Sequence, residues 1–396
     1  MITLSTTDTL DVKKENRNFG IYNYGEDNLY PNNNRVLANN SSALKRCIKT
    51  YGDFLFGNGM TTSEDFWRKK VNVSGLRVDQ FLRRLVKNEY PVHGGFAFKV
   101  VYNGALDPIS VVPLPFETLR LAKSDDFGVI KKIRYHKDWS LKSIKKQDIV
   151  TYDVYNPNKE IIAGQIELAG GFENWNHQIF YYGENGEVKY THCSFHASLE
   201  DVVTDVQLKK GRNANASTNF MASHILKLPV SWEEMADEII ATSPNENINR
   251  EKVIEDIKQQ WKDALGSFQS AENIGKIMML TSKRLDNDGK VIFPELEKID
   301  IQDYDKLYDL TLKIVKDNIR DEYQIPNILL EHVNTGFSTE EMEQAYNYYN
   351  NITQNIRQIF EEVFLEIFPK MFTGYDLSDN FSIQKLKYIK NETTNV

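Results

Sequence analysis

Three residues whose types suit metal binding stand close together in this chain: His192, Cys193 and His196. On a helix, the His-x-x-x-His spacing would set both imidazoles on one face, as a zinc site requires. A fourth ligand is missing nearby, so the favoured reading is a boundary loop whose polar side chains face solvent. Asp286-Asn287-Asp288-Gly289 resembles the start of a calcium loop. Position five of such a loop is Lys290, and the glutamate at position twelve is absent, so a tight hairpin turn fits better. His93-Gly94-Gly95 resembles an oxyanion-hole element, but no Gly-x-Ser-x-Gly nucleophile turn accompanies it. Those glycines are read instead as letting a strand start pack close to neighbouring backbone.

Phosphate chemistry is no better marked. The chain has no Gly-x-x-x-x-Gly-Lys-Ser/Thr loop and no Gly-x-Gly-x-x-Gly after a strand. Glu331, Glu340, Glu341, Glu343, Glu361 and Glu362 gather near the C-terminal helix. Spread along a long helix, they read as a solvated or partner-facing stripe and not as a catalytic pair. No coherent catalytic constellation emerges, and the sequence predicts no cofactor, no metal and no enzymatic activity. The competing expectation is an α+β enzyme, a nuclease or transferase, with a pocket unmarked by motif.

Composition narrows the partners. The 396 residues are 41% hydrophobic, enough to fill sizeable cores, and 56 acidic side chains outnumber 48 basic ones for a net charge of −8. A protein that wraps DNA or coats an anionic membrane needs a concentrated basic face, which this balance disfavours. A protein that lets DNA pass without gripping it remains allowed. No window approaches the ~18 consecutive apolar residues of a membrane span, and the N-terminus lacks the pattern of a secretory signal. The two cysteines, Cys47 and Cys193, exclude a disulfide framework and fit a reducing cytoplasm.

The elements follow from periodicity and punctuation. The first forty residues read as irregular. Ser41 or Ser42 caps a helix in which Leu44, Cys47, Ile48, Tyr51, Phe54 and Leu55 form one stripe, ended at Gly57 and Gly59. A second helix is expected from Val78 to Asn88. Short β-branched and aromatic runs follow, separated by turn formers, and predict an antiparallel meander, so that residues 1 to about 195 form one α+β unit. Helices are predicted from Ser198 and over REKVIEDIKQQWKDALGSF, with a strand at HILKLPV between them. A KIMMLT strand, a hairpin at LDNDGKV and a linker through PELEKID lead to the helix DYDKLYDLTLKIVKDNIRDEY. That helix carries more apolar positions than one stripe needs, which points to packing in a larger assembly. Ile325-Pro326 stops it. Ser338-x-x-Glu341 is a capping box that opens a helix of roughly thirty residues.

Basic residues gather only modestly, at Lys209, Lys210 and Arg212, and at Lys306, Lys313, Lys316 and Arg320. The second group interleaves with Asp303, Asp305, Asp309, Asp317 and Asp321, which reads first as ion pairing and second as DNA contact.

Taken in order, these features resemble the portal proteins of tailed bacteriophages over most of the chain. The helix ALKRCIKTYGDFLFGNG is followed by YPVHGGFAFKVVYN and ISVVPLPFETLRL. Next come the helix at Leu199 and a segment in which Trp261, Gly266, Asn273, Gly275 and Lys276 match the family's pattern. The long helix ending at Ile325-Pro326, the loop with Gly336, and the helix with Tyr346, Tyr349 and Phe360 complete the series.

The resemblance implies an α+β, portal-like fold with an α/β wing, a two-helix stem, a small α/β clip and a long kinked C-terminal helix. It implies a wing over residues 1–197, stem helices over 198–222 and 301–325, a clip over 223–300, a tunnel-loop region over 326–340, and a C-terminal wing helix with a short tail over 341–396. A ring of about twelve copies would sit at one capsid vertex of the virion, made in the bacterial host cytoplasm. It would pass double-stranded DNA during packaging and ejection, and would meet the large terminase subunit, major capsid and scaffolding proteins and a head-tail adaptor, with no membrane partner. Asn334, Thr335, Gly336, Phe337 and Ser338 would form the DNA-facing tunnel loop, and Lys209, Lys210, Arg212, Lys313, Lys316 and Arg320 would be the basic candidates along the channel. The chain stops soon after its long helix, so the crown of larger family members would be short or missing.

Overall fold

Ser41 ends one helix and begins the next. Its N–H closes α1 (Tyr30–Asn40) onto the Leu37 carbonyl, and its hydroxyl accepts from the Leu44 N–H at 3.1 Å to cap α2 (Ser42–Phe56). A computed structural model describes residues 15–16, 18–61, 64–184, 190–218, 224–227, 231–242, 249–266, 295–298, 304–330, 338–375, 377 and 381–389. The chain divides into two compact units, the first made of Met1–Val206 with Lys313–Val396 and the second of Gln207–Leu312.

In the first unit a small strand pair, β1 (Glu15–Asn16) and β2 (Ile21–Tyr22), precedes α1. After α2 come α3 (Glu64–Arg68), α4 (Val78–Arg83), a π-helical turn over Arg84–Glu89, and α5 (Tyr90–His93). The helix expected from Val78 to Asn88 thus changes register. Pro91 has no N–H to give the Lys87 carbonyl and its ring crowds that group, so the turn before it widens and Tyr90 N–H reaches back five residues to Leu85. The irregular start expected for the first forty residues also needs correction over Tyr30–Asn40, where α1 forms.

Six strands make one sheet: β3 (Gly95–Tyr102), β4 (Pro108–Leu114), β5 (Leu119–Leu121), β6 (Lys132–Tyr135), β7 (Val150–Val154) and β8 (Gln178–Gly183), in the order β4-β3-β8-β7-β6-β5. The expected antiparallel meander is replaced by a mixed sheet. β7 and β8 run parallel because α6 (Lys159–Leu168) carries the chain back between them, the crossover that parallel strands require.

The second unit holds the remainder of α7 (Leu199–Thr218), β9 (His224–Lys227), α8 (Trp232–Thr242), α9 (Arg250–Gly266), β10 (Glu295–Lys298) and the start of α10 (Tyr304–Glu322). β9 and β10 pair antiparallel with Glu295 opposite Lys227, so the expected linker through PELEKID contains a strand. Arg250 grips Asp237 at 2.7 Å between α8 and α9, which bury Ala236 and Ile257.

Two further helices, α11 (Thr339–Ile352) and α12 (Gln354–Met371), return to the first unit where one helix was expected. Thr353 stands between them: its N–H still donates to the Tyr349 carbonyl at 3.1 Å, its hydroxyl shares that acceptor at 2.9 Å, and Arg357 donates to the Asn350 carbonyl at 2.5 Å, so side chains crowd the helical carbonyls at the junction. Pro369 lies inside α12, in its last turn, and does not end it.

α12 lays Phe360, Phe364 and Phe368 against the sheet and α4. Phe360 stacks on Phe96 with ring centroids 4.5 Å apart, Phe96 and Phe98 stack on Phe180, and Phe81 meets Phe364 and Phe368 edge-on. A second cluster joins Leu44, Cys47 and Phe54 of α2 to Val202, Val315, Ile319, Tyr323 and Tyr349. No described helix is long and apolar enough to cross a membrane.

Candidate functional site

The residues expected to matter most begin with the helix pair α7 and α10. Within the first unit their adjoining turns are tied together: Ser198 Oγ donates to the Asn318 carbonyl at 3.3 Å and Asn318 Nδ2 to Asp201 at 3.2 Å. The buried Asp205 accepts from Ser41 Oγ at 2.7 Å, fixing α7 to the start of α2. On α10, Val315 and Ile319 are buried, whereas Leu310 and Ile314 are 56% and 50% exposed.

The basic candidates divide between the units. Lys209, Lys210 and Arg212 belong to the second, with Lys210 and Arg212 exposed; Lys313, Lys316 and Arg320 belong to the first. Lys313 and Lys316 are exposed, while Arg320 pairs with Asp317 at 2.6 Å and Asp321 at 2.8 Å. Its charge is answered within its own helix, which fits the ion-pairing reading at that position.

Asn334, Thr335, Gly336 and Phe337 lie outside the described residues, as do the KIMMLT strand and Asp286–Lys290. The positions on either side of 331–337 are described. Upstream, Tyr323 donates to the Pro91 carbonyl at 2.7 Å and its own carbonyl accepts from Tyr349 Oη at 2.9 Å. Downstream, Ser338 Oγ accepts from the Glu341 N–H at 3.1 Å and the Glu341 carboxylate accepts from the Ser338 N–H at 2.8 Å. The expected capping box is present, and it engages the Ser338 hydroxyl.

His192, Cys193 and His196 lie in turns ahead of α7 and not on a helical face. Cys193 turns inward, where Tyr30 Oη donates to its sulfur at 3.3 Å, and burial pushes its thiol up to about 12. Cys47 is likewise pushed up to about 12 by burial. Neither is a ready thiolate nucleophile. The two imidazoles, with ring centroids 4.1 Å apart, instead line a cavity of about 570 Å³ with Tyr51, Glu184, Glu322 and Asn355. Burial pushes both histidines down.

A second cluster was not legible in the sequence. Glu89, His93 and Glu117 meet beneath α1, and among the described residues theirs is the one group of three His, Cys, Asp or Glu ligand atoms within 4.8 Å of one another. Arg35 occupies the middle: its Nη2 lies 2.8 Å from Glu89 Oε2 and 3.3 Å from Glu117 Oε2, and its Nη1 donates to the Asn88 carbonyl at 2.7 Å. Glu89 Oε2 also accepts from the Phe116 N–H at 3.0 Å. His93 stacks on Phe116, and its Nε2 stands 3.3 Å from Glu117 Oε2.

Burial pushes the Glu89 carboxyl up to about 7 against the pull of Arg35, and pushes His93 down to about 4. Burial opposes ionisation of Glu117 as well, but His93 and Arg35 outweigh it and hold that carboxyl down to about 2. These are ligand types for a divalent cation, yet the guanidinium already supplies positive charge at both Oε2 atoms. The arrangement fastens α1 to the turn that starts α5 and to the sheet edge. Only the Glu89-x-x-x-His93 spacing hinted at it in the sequence; Arg35 and Glu117 arrive from distant segments. Gly94 and Gly95 take up the close packing expected of them: a Cβ on Gly94, whose φ is +63°, would stand 2.5 Å from the His192 carbonyl oxygen, and one on Gly95 would stand 2.5 Å from that of Tyr182.

Known proteins supply the following likenesses. No family model matches the chain, and no curated protein matches it. Among solved structures, a chain in the virion of a native gene transfer agent particle is 10% identical with a TM-score of 0.49, covering 88% of this chain and 84% of that one. A chain in the neck of a native gene transfer agent particle, computed with C12 symmetry, is 11% identical with a TM-score of 0.47, over 86% of this chain and 81% of that one. An HK97 family phage portal protein from Corynebacterium diphtheriae is 8% identical with a TM-score of 0.41, over 85% of this chain and 90% of that one.

Proposed function

We propose that this protein is a portal-type ring subunit, a structural channel for double-stranded DNA at one vertex of a virion. The observation that carries the reading is the double apolar character of α10. One side buries Val315 and Ile319 in the chain's own core, and another leaves Leu310 and Ile314 half-exposed. A closed ring with head-to-tail contacts covers two different faces of every protomer, which gives such a second face its use. The ordered series of sequence features that resembles portal proteins supports the same reading.

In this proposal about twelve copies close the ring. Residues 1–197 with 341–396 form the wing, 198–222 and 301–325 the stem helices, 223–300 the clip that meets the large terminase subunit, and 326–340 the tunnel-loop region. Asn334, Thr335, Gly336, Phe337 and Ser338 face the duplex, with Lys209, Lys210, Arg212, Lys313, Lys316 and Arg320 as the basic positions along the channel. The net charge of −8 suits transit, because a channel that neutralised many phosphates would hold DNA with a steep salt dependence. Scaffolding and capsid proteins would seat the ring, and a head-tail adaptor would join it.

Native mass spectrometry of the purified chain, with negative-stain imaging of the same sample, tests the proposal. Closed rings near twelve copies with a central hole are the expected result. A monomer that turns over a nucleic-acid or group-transfer substrate would overturn it in favour of an enzyme.

A further inference from the structure

The connection between β5 and β6 ends in a tip that the chain leaves uncovered. Phe127 is 91% exposed and Val129 52% exposed. Such a tip would ordinarily be loose, but this one is held. Asp125 Oδ1 accepts from the Phe127 N–H at 3.0 Å and the Val129 N–H at 2.9 Å, Asp125 N–H donates to the Val129 carbonyl at 2.9 Å, and Lys131 pairs with Asp125 Oδ2 at 2.9 Å. Lower down, Ser124 is tied to the Tyr22 hydroxyl at 2.8 Å. The backbone of the tip is therefore fixed, while the Phe127 ring it presents to solvent contributes little to the chain's own stability. An aromatic side chain carried on backbone already in place suits an anchor for binding, since the backbone share of the ordering cost is met. The carboxylate of Asp126 is exposed beside it, while that of Asp125 is taken by Lys131.

Elsewhere on the first unit is a cavity of opposite character. It measures about 330 Å³, with Phe54, Leu329, Leu330, Tyr346 and Leu386 as apolar walls and Arg46 and Lys49 among its lining. Both cations are exposed, and Arg46 also donates to the Leu330 carbonyl. Asp53, the one acidic residue lining the cavity, is paired with Lys87. None of residues 124–131 lines the cavity, so the chain's own tip does not fill it.

We infer that the Asp126-Phe127 tip of one copy seats in this cavity of a second copy, with Phe127 among the apolar walls and Asp126 against Lys49 and Arg46. The match is one of chemistry and charge: an aromatic ring with an adjoining carboxylate meets an aromatic-lined hollow with a positive rim. Because tip and cavity are different surfaces of one protomer, the contact is head-to-tail and propagates from copy to copy. This inference rests on the ring reading and names one of the contacts that would close it.

Assembly titrations by native mass spectrometry on full-length chains test it. Phe127→Ala is expected to raise the concentration needed for half-assembly by at least about tenfold, with thermal unfolding of the unassembled chain unchanged. Asp126→Lys and Lys49→Glu should each weaken assembly, and the two combined should restore it. Wild-type rings alongside an unimpaired Phe127→Ala variant, or a combined variant as weak as its parents, would overturn the contact and leave the ring standing. A wild-type chain that never assembles would overturn both.

Discussion

The interior and the exterior of the first unit treat their awkward groups in opposite ways. Inside, buried charge is answered by the chain itself. Arg120, fully buried, donates to Asn28 Oδ1 at 2.6 Å and to the carbonyls of Asn28, Glu117 and Leu119, and Arg357 donates to Phe54 and Asn350 carbonyls. Outside, apolar groups stand without an answer: Ile314 on α10 and Phe127 at the hairpin tip are exposed. Satisfying a buried guanidinium is obligatory for folding, because an unpaired one costs several kcal/mol. Covering an exposed isoleucine is not. The interior therefore reports what holds one chain together, and the exterior reports what the chain leaves for others, so the two sets should respond separately to substitution.

Phe360→Ala should make the sharpest cut on the interior side. It removes a fully buried ring stacked on Phe96 and should lower unfolding free energy by about 3–5 kcal/mol in denaturant titrations of the unassembled chain. A loss below about 1 kcal/mol would mean the stacked face is not a core.

Glu89→Gln tests the buried cluster through pH. The Glu89 carboxyl is pushed up to about 7 from its ordinary 4.5, so its contribution to stability is fully present below 4.5 and is lost as pH rises through 7. His93, pushed down to about 4 from 6.5, works the other way, its contribution being present above 6.5 and lost as pH falls through 4. The wild type thus carries two opposed dependences between 4.5 and 6.5, and the variant keeps only that of His93. Relative to wild type, Glu89→Gln should gain up to about 3 kcal/mol on going from pH 5 to pH 8. A parallel pair of stability curves would refute the assignment.

Ser338→Ala should cost about 1 kcal/mol by removing the α11 cap, read as earlier amide exchange in that helix's first turn. Unaltered exchange would show that the cap does not hold that turn. The smallest effect on the single chain is expected from Ile314→Asp, within about 0.5 kcal/mol in unfolding, combined with loss of ring assembly. A stability loss rivalling that of Phe360→Ala would place the outer side of α10 in the chain's own core and dissolve the contrast.

Features written in short range were legible from residue types alone. The Ser41 cap, the Ser338-Glu341 box and the stop at Pro326 each depend on neighbours within a few positions, and all three stand in the structure. What was missed depends on distant partners. YPNNNRVLANN is poor helix material, yet α1 forms because Arg35 is drawn to Glu89 and Glu117 and because Tyr30 packs onto Tyr24. α6 carries only a weak apolar stripe, so the crossover that makes β7 and β8 parallel went unread, and with it the strand order. The buried cluster was equally hidden, since two of its four residues, Arg35 and Glu117, join Glu89 and His93 only once the sheet and α1 have docked.

The split of the first unit along the chain has a consequence for synthesis. Phe96, Phe98 and Phe180 are made first, but Phe360 of α12, which stacks on Phe96 in the same core, emerges from the ribosome only after residues 207–312. Residues 207–312 come out complete in the interval. The aromatic face of the sheet must therefore wait, uncovered, while the whole second unit is translated. Such a delay exposes nascent chains to one another before their cores can close. The order in which the helices are written thus sets how long this sheet face stays open during synthesis.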